Sequence, residues 1–262
     1  MTEKPKIAII GGSGLYEMEE FIKLDSKKIS TPYGAPSSTI ELGTLSSIPV
    51  AFLARHGKGH IYPAHKVNYR ANIYALKEIG IERIIAVQTV GSLKEEFRPG
   101  ELVIPDQFID FTKKRDYSFY DGGRTTHVSV ADPFCETLRE LVYDTGTKLN
   151  YKLHSHGTYV CIEGPRFSTR AESKMFRNYA DIIGMTLVPE AVLARELELC
   201  YVTIAQITDY DVWQEKPVDA HEIVRTMTEN IAKIKEILKN VVPKIPVERN
   251  CLCPKALEFA QL

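Results

Sequence analysis

A single α/β domain is the fold this sequence predicts, and three features carry the prediction. Short, near-continuous apolar runs recur along the chain. Segments with helical apolar spacing lie between them. No repeat, low-complexity tract or long Pro/Gly/Ser linker divides the 262 residues. Apolar runs without polar alternation are strands covered on both faces, and strands alternating with helices build an α/β sheet. The length suits one large domain or two small ones. With no linker to separate two, residues 1–262 are taken as one.

The strand signals come in the order Ile7 to Ile10, Val50 to Leu53, Arg83 to Val87, Leu102 to Ile104, Tyr159 to Ile162 and Tyr201 to Ala205. Helical spacing marks Lys66 to Ile79, where Val67, Ala71, Tyr74 and Leu76 form an apolar face and Gly80 supplies the stop. Pro189 reads as a first-turn proline before a helix over Ala191 to Leu197. Asp219 to Glu222 has capping-box spacing, and Ile223, Met227, Ile231, Ile234 and Leu238 follow at helical intervals. Tyr33, Gly34 and Pro36, and later Asp121-Gly122-Gly123, mark surface loops.

Composition narrows the function. Hydrophobic residues are 44% and charged residues 26%, and 33 basic against 34 acidic side chains leave a net charge of -1. Neither nucleic acid nor an anionic membrane is favoured as a partner, which points to a small-molecule enzyme or binding domain. The apolar run at Ile7 to Ile10 is too short for a signal peptide or membrane span, so a cytoplasmic location is expected. Five cysteines, an odd number, read as free thiols in such a compartment. Cys251-Leu252-Cys253 has no second ligand pair near it in sequence, so no zinc is expected there.

In an α/β sheet, ligands gather outside the carboxyl ends of strands, and the polar segments fall at such ends. Gly11-Gly12-Ser13-Gly14 follows the first run and can turn backbone N–H groups and a hydroxyl toward an anion. A tight turn uses the same glycines. The segment is neither a Walker loop nor a complete dinucleotide fingerprint. Arg55 and His56 follow the second run, where a guanidinium can grip two anion oxygens and a histidine can donate another bond. His56 and His60 have metal-like spacing only if helical, and Gly57 and Gly59 oppose that. Met185-Thr186, just before Pro189-Glu190, offers a hydroxyl and free N–H groups at a helix start. After the last run come Asp209 and Asp211. If the chain stays extended they point to one side, and two close carboxylates cannot both ionise cheaply, so one becomes a proton donor near neutral pH.

Taken in order, Ile10 to Leu15, Thr31 to Gly34, Ala54 to Gly57, Val67 to Asn72, Gly91 to Leu93, Pro105 to Asp110, Glu163 to Ser168, Gly184 to Thr186, Val188 to Glu190 and Thr208 to Trp213 resemble the methylthioadenosine phosphorylases of the trimeric purine nucleoside phosphorylase superfamily. The likeness covers roughly residues 6 to 245 and is nearest the thermophilic archaeal type. It implies a phosphorylase fold, a twisted mixed sheet, partly barrel-like, flanked by helices, with a peripheral tail over about 246–262. The implied reaction is phosphorolysis of 5′-methylthioadenosine, and of adenosine with it, without metal or organic cofactor and with inorganic phosphate as co-substrate. The implied phosphate site is Ser13, Arg55, His56, Gln88, Thr89 and Thr186. Met185 meets the ribose with His60 near the sugar, Phe167 and Ser168 lie by the base, and Asp209 and Asp211 face the purine, Asp209 as the acid at N7. Asp at 209 favours a 6-amino over a 6-oxo base, since its second oxygen can accept from the amino group. Either Ala220 or neighbouring His221 falls where relatives that use ordinary nucleosides carry a histidine for the 5′ hydroxyl; alanine there leaves room for a methylthio group.

Two positions depart from the animal members, which have Thr at 88 and Asn at 184. The resemblance also implies a homotrimer or a hexamer of two trimers, with His127 a candidate to reach a neighbour's site, and disulfides Cys135–Cys200 and Cys251–Cys253. The competing readings are a methylthioinosine or general purine nucleoside phosphorylase, a nucleosidase, a non-catalytic nucleoside-binding module and a dinucleotide-dependent oxidoreductase. A nucleosidase does not need the Arg55, His56, Thr186 set, a binding module leaves the Asp pair idle, and the defective glycine fingerprint speaks against an oxidoreductase.

Overall fold

The computed structural model of the chain describes residues 4–12, 14–15, 18–123, 125–214 and 220–260, the side chains of 220–222 excepted. Among them, eleven strands form one mixed sheet. They are β1 (Ile7–Gly11), β2 (Phe21–Lys27), β3 (Ile40–Leu45), β4 (Ile48–Ala54), β5 (Arg83–Ser92), β6 (Leu102–Val103), β7 (Gln107–Phe111), β8 (Leu153–His154), β9 (Thr158–Ile162), β10 (Ile182–Gly184) and β11 (Cys200–Asp209). The helices are α1 (Tyr69–Glu78), α2 (Glu136–Lys148), α3 (Arg170–Phe176), α4 (Glu190–Glu196) and α5 (Ala220–Val241).

Successive residues of a strand point to opposite faces, and the central strands are apolar on both. Ala8, Ile10, Ile84 and Ala86 pack with Ile73 of α1 and Leu193 of α4 in one core. Ile7, Ile9, Ile85 and Val87 pack with Val142 of α2 and Leu238 of α5 in a second core. That is why these strands read as unbroken apolar runs: each supplies two cores at once. A third, smaller cluster joins Val160 and Ile183 to Phe176 of α3.

The hub of the sheet is β5. On one edge, Arg83 to Ala86 pair in parallel with β1, and Gly91 and Ser92 pair antiparallel with β10. On the other edge β11 follows in parallel from Arg83 to Gly91. Between Ala86 and Gly91 the first edge has no strand partner among the described residues, so the sheet forks there.

Several elements differ from the sequence expectation. The helix expected over Lys66 to Ile79 is split. A 3-10 turn covers Ala64–Lys66, and α1 begins after Asn68, whose side chain accepts the Ala71 N–H at 3.1 Å. Pro189 sits at the cap of α4 rather than in its first turn. The expected cap Asp219 lies outside the described residues. Edge strand β2 escapes the apolar-run test because its side chains face solvent, Ile22 and Leu24 included. Helix α3 carries a capping box at Thr169 and Glu172 that the sequence displayed. The tail expected at the periphery buries Cys253 in the second core. The expected pairs Cys135–Cys200 and Cys251–Cys253 come together at one point: the four sulfurs lie within 4.8 Å of one another, with no disulfide among the described residues.

The segments Thr31–Gly34 and Val67–Asn72 are partners. Asn68 donates to the Tyr33 carbonyl at 2.8 Å. Fully buried Asn72 accepts the Ser37 N–H at 2.8 Å and donates to the Ser37 hydroxyl at 3.0 Å. Asn72→Ala strands both groups of Ser37, and urea unfolding is expected to show a loss of about 1–3 kcal/mol.

Candidate active site

A cavity of about 360 Å³ opens at the fork in β5, a volume suited to a small-molecule ligand. Residues 87–91 line it, 87–90 of them without a strand partner on one edge of β5, and the carboxyl ends of five strands meet around it. Gly12 follows β1, Arg55 and His56 follow β4, Pro165, Phe167 and Ser168 follow β9, Met185 and Thr186 follow β10, and Asp209 ends β11 with Asp211 beyond it. His60, Gln88 and Thr89 also line it. The structure thus brings eleven of the expected residues to one cavity. Ser13 lies outside the described residues, as do the side chains of Ala220 and His221.

Arg55 is 1% exposed and Glu190 0%. The Arg55 Nε and Nη2 donate to the two carboxylate oxygens of Glu190, each at 2.7 Å, and Nη1 donates to the Val87 carbonyl at 2.8 Å. A guanidinium has five N–H groups. Three meet these partners, which leaves two, one each on Nη1 and Nη2, for an anion. The expected side-on grip is therefore committed to Glu190, and a ligand can take only what remains. Tyr201 donates to the same carboxylate at 2.8 Å, and Gln88 Nε2 donates to the Tyr201 hydroxyl at 3.2 Å. The buried Gln88 Oε1 has no partner among the described residues.

His56 is buried, and its Nδ1 lies 2.8 Å from the Tyr62 carbonyl. A carbonyl only accepts, so Nδ1 carries the hydrogen and the neutral ring leaves Nε2 as an acceptor. Burial, then the neighbouring Arg55 charge, pushes the His56 pKa down to about 4. In this tautomer the ring offers an anion's hydroxyl an acceptor at Nε2, where the sequence reading has it as a donor. The His60 ring stacks on it at 4.2 Å, in a non-helical loop where Gly57, Gly59 and His60 all have positive φ.

Asp209 and Asp211 do not sit side by side on an extended chain, because β11 ends at Asp209 and Asp211 turns with φ 49°. Asp209 accepts from the Thr208 hydroxyl and from the Asp211 N–H, both at 2.8 Å. Asp211 takes the Ser168 hydroxyl on its two oxygens at 2.7 and 2.9 Å. The Asp209 pKa is raised, chiefly by burial and only lastly by the Asp211 charge. The upward direction expected from carboxylate repulsion thus comes mainly from desolvation. Gly91 allows this approach, since a Cβ there would lie 2.9 Å from Asp209 Oδ1. Trp213 Nε1 donates to the Ser92 carbonyl at 2.8 Å and stacks under the Arg177 guanidinium, which pins the turn from outside.

Glycine at 184 has a direct cause. A Cβ there would lie 1.9 Å from the buried Tyr159 hydroxyl. Gln206, Thr208, Leu15, Ile223 and Met227 also line the cavity. Gln206 was legible as a polar residue inside an apolar strand. Glu190 and Tyr201 were not, because only folding sets them against Arg55.

Comparison with known proteins agrees with this geometry. The family model of the phosphorylase superfamily matches residues 6–243. The S-methyl-5′-thioadenosine phosphorylase of Pyrococcus horikoshii is 60% identical over 254 residues, spanning 97% of this chain and 98% of that protein. The one from Nitrosopumilus maritimus is 52% identical over 262 residues, spanning 100% of each. A methylthioadenosine phosphorylase from an antarctic soil metagenomic library superposes with TM-score 0.93 at 45% identity, covering 98% of this chain and 92% of that one. A mutant adenosine/methylthioadenosine phosphorylase from Schistosoma mansoni, in complex with methylthioadenosine, gives 0.88 at 36% identity, covering 94% and 93%.

Two outcomes are expected. Glu190→Gln leaves the Arg55 charge buried without its counter-charge and lowers unfolding stability by about 3–5 kcal/mol, read from urea midpoints. His56 holds its proton less tightly folded than at its ordinary 6.5. The unfolded chain therefore binds more protons, and stability present above pH 6.5 falls as pH drops toward 4. In His56→Asn the urea midpoint changes less over that range.

Proposed function

The chain belongs to the phosphorylase superfamily, and on that footing we propose that it cleaves 5′-methylthioadenosine with inorganic phosphate to give adenine and 5-methylthioribose 1-phosphate. The observation that carries this reading is the buried carboxyl of Asp209, whose proton affinity burial raises, in the same cavity as Arg55, His56 and Thr186.

Phosphate is held by the two remaining N–H groups of Arg55, by Thr186, by Thr89 and Gln88, and by Ser13. Arriving as the dianion, it donates its one hydroxyl to His56 Nε2, which the neutral ring offers as an acceptor. The nucleoside lies against Phe167, Ser168 and Met185, with His60 near the sugar. As the glycosidic bond lengthens, the ribose gains cationic character that the phosphate oxygens stabilise, and one of them then closes on the anomeric carbon. Holding both reactants together removes on the order of 7–11 kcal/mol at best from the barrier. The electrons of the broken bond flow into the purine, and Asp209 supplies the proton to N7. Asp211 acts as a positioning residue through its N–H to Asp209 and its bond with Ser168. The second Asp209 oxygen accepts from a 6-amino group, which favours adenine over 6-oxo bases.

Leu15, Ile223 and Met227 give the cavity an apolar stretch that suits a methylthio group, with Ala220 at the head of α5 assigned to the same end; adenosine is the second substrate. No metal or cofactor takes part in this chemistry, and phosphate is a co-substrate. Neither nucleic acid nor a membrane is a partner. No helix among the described residues is long and apolar enough to cross a membrane, and a cytoplasmic location is assigned. A homotrimer, or a hexamer of two trimers, is the assigned assembly. Exposed Phe167 at the cavity mouth and exposed His127, outside its own cavity lining, suit contacts between subunits.

Incubation with methylthioadenosine is expected to release adenine only when phosphate is present, together with a sugar 1-phosphate. Equal release without phosphate identifies a nucleosidase. Asp209→Asn is expected to lower kcat for this substrate by roughly 10²–10⁴-fold; near-normal turnover removes Asp209 from its role. Light scattering of a fully active monomer excludes the assembly.

A further inference from the structure

Two apolar rows run side by side on one face of the sheet, and both turn polar at the cavity. In register, Val202 of β11 lies opposite Ile85 of β5, Ile204 opposite Val87, and Gln206 opposite Thr89. The first four belong to the second core, with α2 and α5, and strand alternation puts Gln206 and Thr89 on that same face. An apolar side chain at 206 would simply extend the core. A carboxamide there is unfavourable unless its polar atoms are used. Gln206 is 3% exposed, yet it lines the cavity. Thr89 is the one exposed residue of β5, and the space it faces is the same cavity.

Gln206 Nε2 donates to Thr89 Oγ1 at 3.1 Å. A hydroxyl has a single hydrogen. With its oxygen accepting from Gln206, Thr89 keeps that hydrogen for the cavity. We propose that Gln206 is a positioning residue that holds the Thr89 hydroxyl as a donor to the phosphate co-substrate; this rests on the phosphorolytic reading above. The opposite orientation of the amide would take the Thr89 hydrogen on Oε1 and turn the hydroxyl lone pairs toward the anion, which repels them. A bound phosphate therefore selects the orientation with Nε2 on Thr89.

The site has need of such a donor. Three of the Arg55 N–H groups are taken inside the protein, and His56 offers an acceptor at Nε2. Neutral donors therefore carry more of the anion. On the opposite face of β5, Gln88 gives its Nε2 to Tyr201, which in turn serves Glu190. Gln206 serves the ligand through one hydroxyl instead. Its backbone is held on both edges, by Thr89 of β5 and Leu102 of β6. The amide is thus set before the anion arrives, and little ordering is left to be done on binding.

The test is the phosphate dependence of adenine release from methylthioadenosine by the full chain. Gln206→Met keeps the volume and frees the Thr89 hydroxyl to rotate. Its phosphate KM is expected to rise roughly 3- to 10-fold with the nucleoside KM unchanged. Gln206→Glu keeps the shape, but its carboxylate only accepts. It captures the Thr89 hydrogen and repels the anion, so the rise is larger than for methionine. Thr89→Val removes the hydroxyl, and adding Gln206→Met to it is expected to raise the phosphate KM no further. Protection by phosphate against thermal unfolding, a readout without turnover, is expected to weaken in the same order. An unchanged phosphate KM in both Gln206 variants, equal rises in both substrates' KM, or losses that add in the double variant overturn the proposal. Wild-type release that needs no phosphate overturns the phosphorolytic reading itself, and the proposal with it.

Discussion

The buried pair of Arg55 and Glu190 is the constraint on which the site is built. Neither charge can be taken from water alone at an acceptable cost, so the residue after β4 and the first residue of α4 must meet. Their meeting fixes the end of β4 against the start of α4, and the Val87 carbonyl ties both to β5. Tyr201 on β11 adds its hydroxyl to the same carboxylate. One ion pair therefore sets the spacing of four elements, and the cavity occupies the space they leave. It also limits the guanidinium to a partial role toward any anion, since its positive charge is largely answered inside the protein.

The fork in β5 explains why the cavity is there. A strand buried on both faces cannot leave its backbone groups unpaired without a substitute. Here β1 departs at Ala86 and β10 arrives only at Gly91, and the open stretch is given to a ligand site. Polar side chains gather at it: Gln88 and Gln206 each keep a buried carbonyl oxygen without a described partner. Such atoms are costly in an empty core and are readily understood where a polar ligand completes them.

Acid and anion chemistry are kept apart by environment. Burial raises the proton affinity of the Asp209 carboxyl and lowers that of the His56 ring. The His56 ring is thereby neutral around pH 7 and offers an acceptor, while the Asp209 carboxyl is shifted toward its proton-holding form. The same desolvation gives opposite directions because it penalises the charged form, which is the deprotonated acid and the protonated base.

Much was legible in the sequence because its physics is local. The unbroken apolar runs of β1, β5 and β11 could only be strands serving two cores, and polar residues just after strand ends marked the ligand side. Glycine-rich turns, Arg55, Thr186 and the Asp209–Asp211 segment were all visible that way. What stayed hidden depends on partners distant in the chain. No local pattern shows that Glu190 will consume half of Arg55, or that Tyr62 will fix the tautomer of His56. Nor does the sequence show that Tyr159 will fill the space above Gly184, or that β10, three residues long, will close the fork. The cysteines make the same point, since Cys135, Cys200 and the tail pair are neighbours only after α2, β11 and the tail have packed. The sequence by itself determined which segments are strands and where chemistry could sit, because hydrophobic pattern and turn preference act over a few residues. The tertiary structure decided which charges, tautomers and sulfurs meet, because desolvation and pairing depend on whatever the fold brings within a few ångströms.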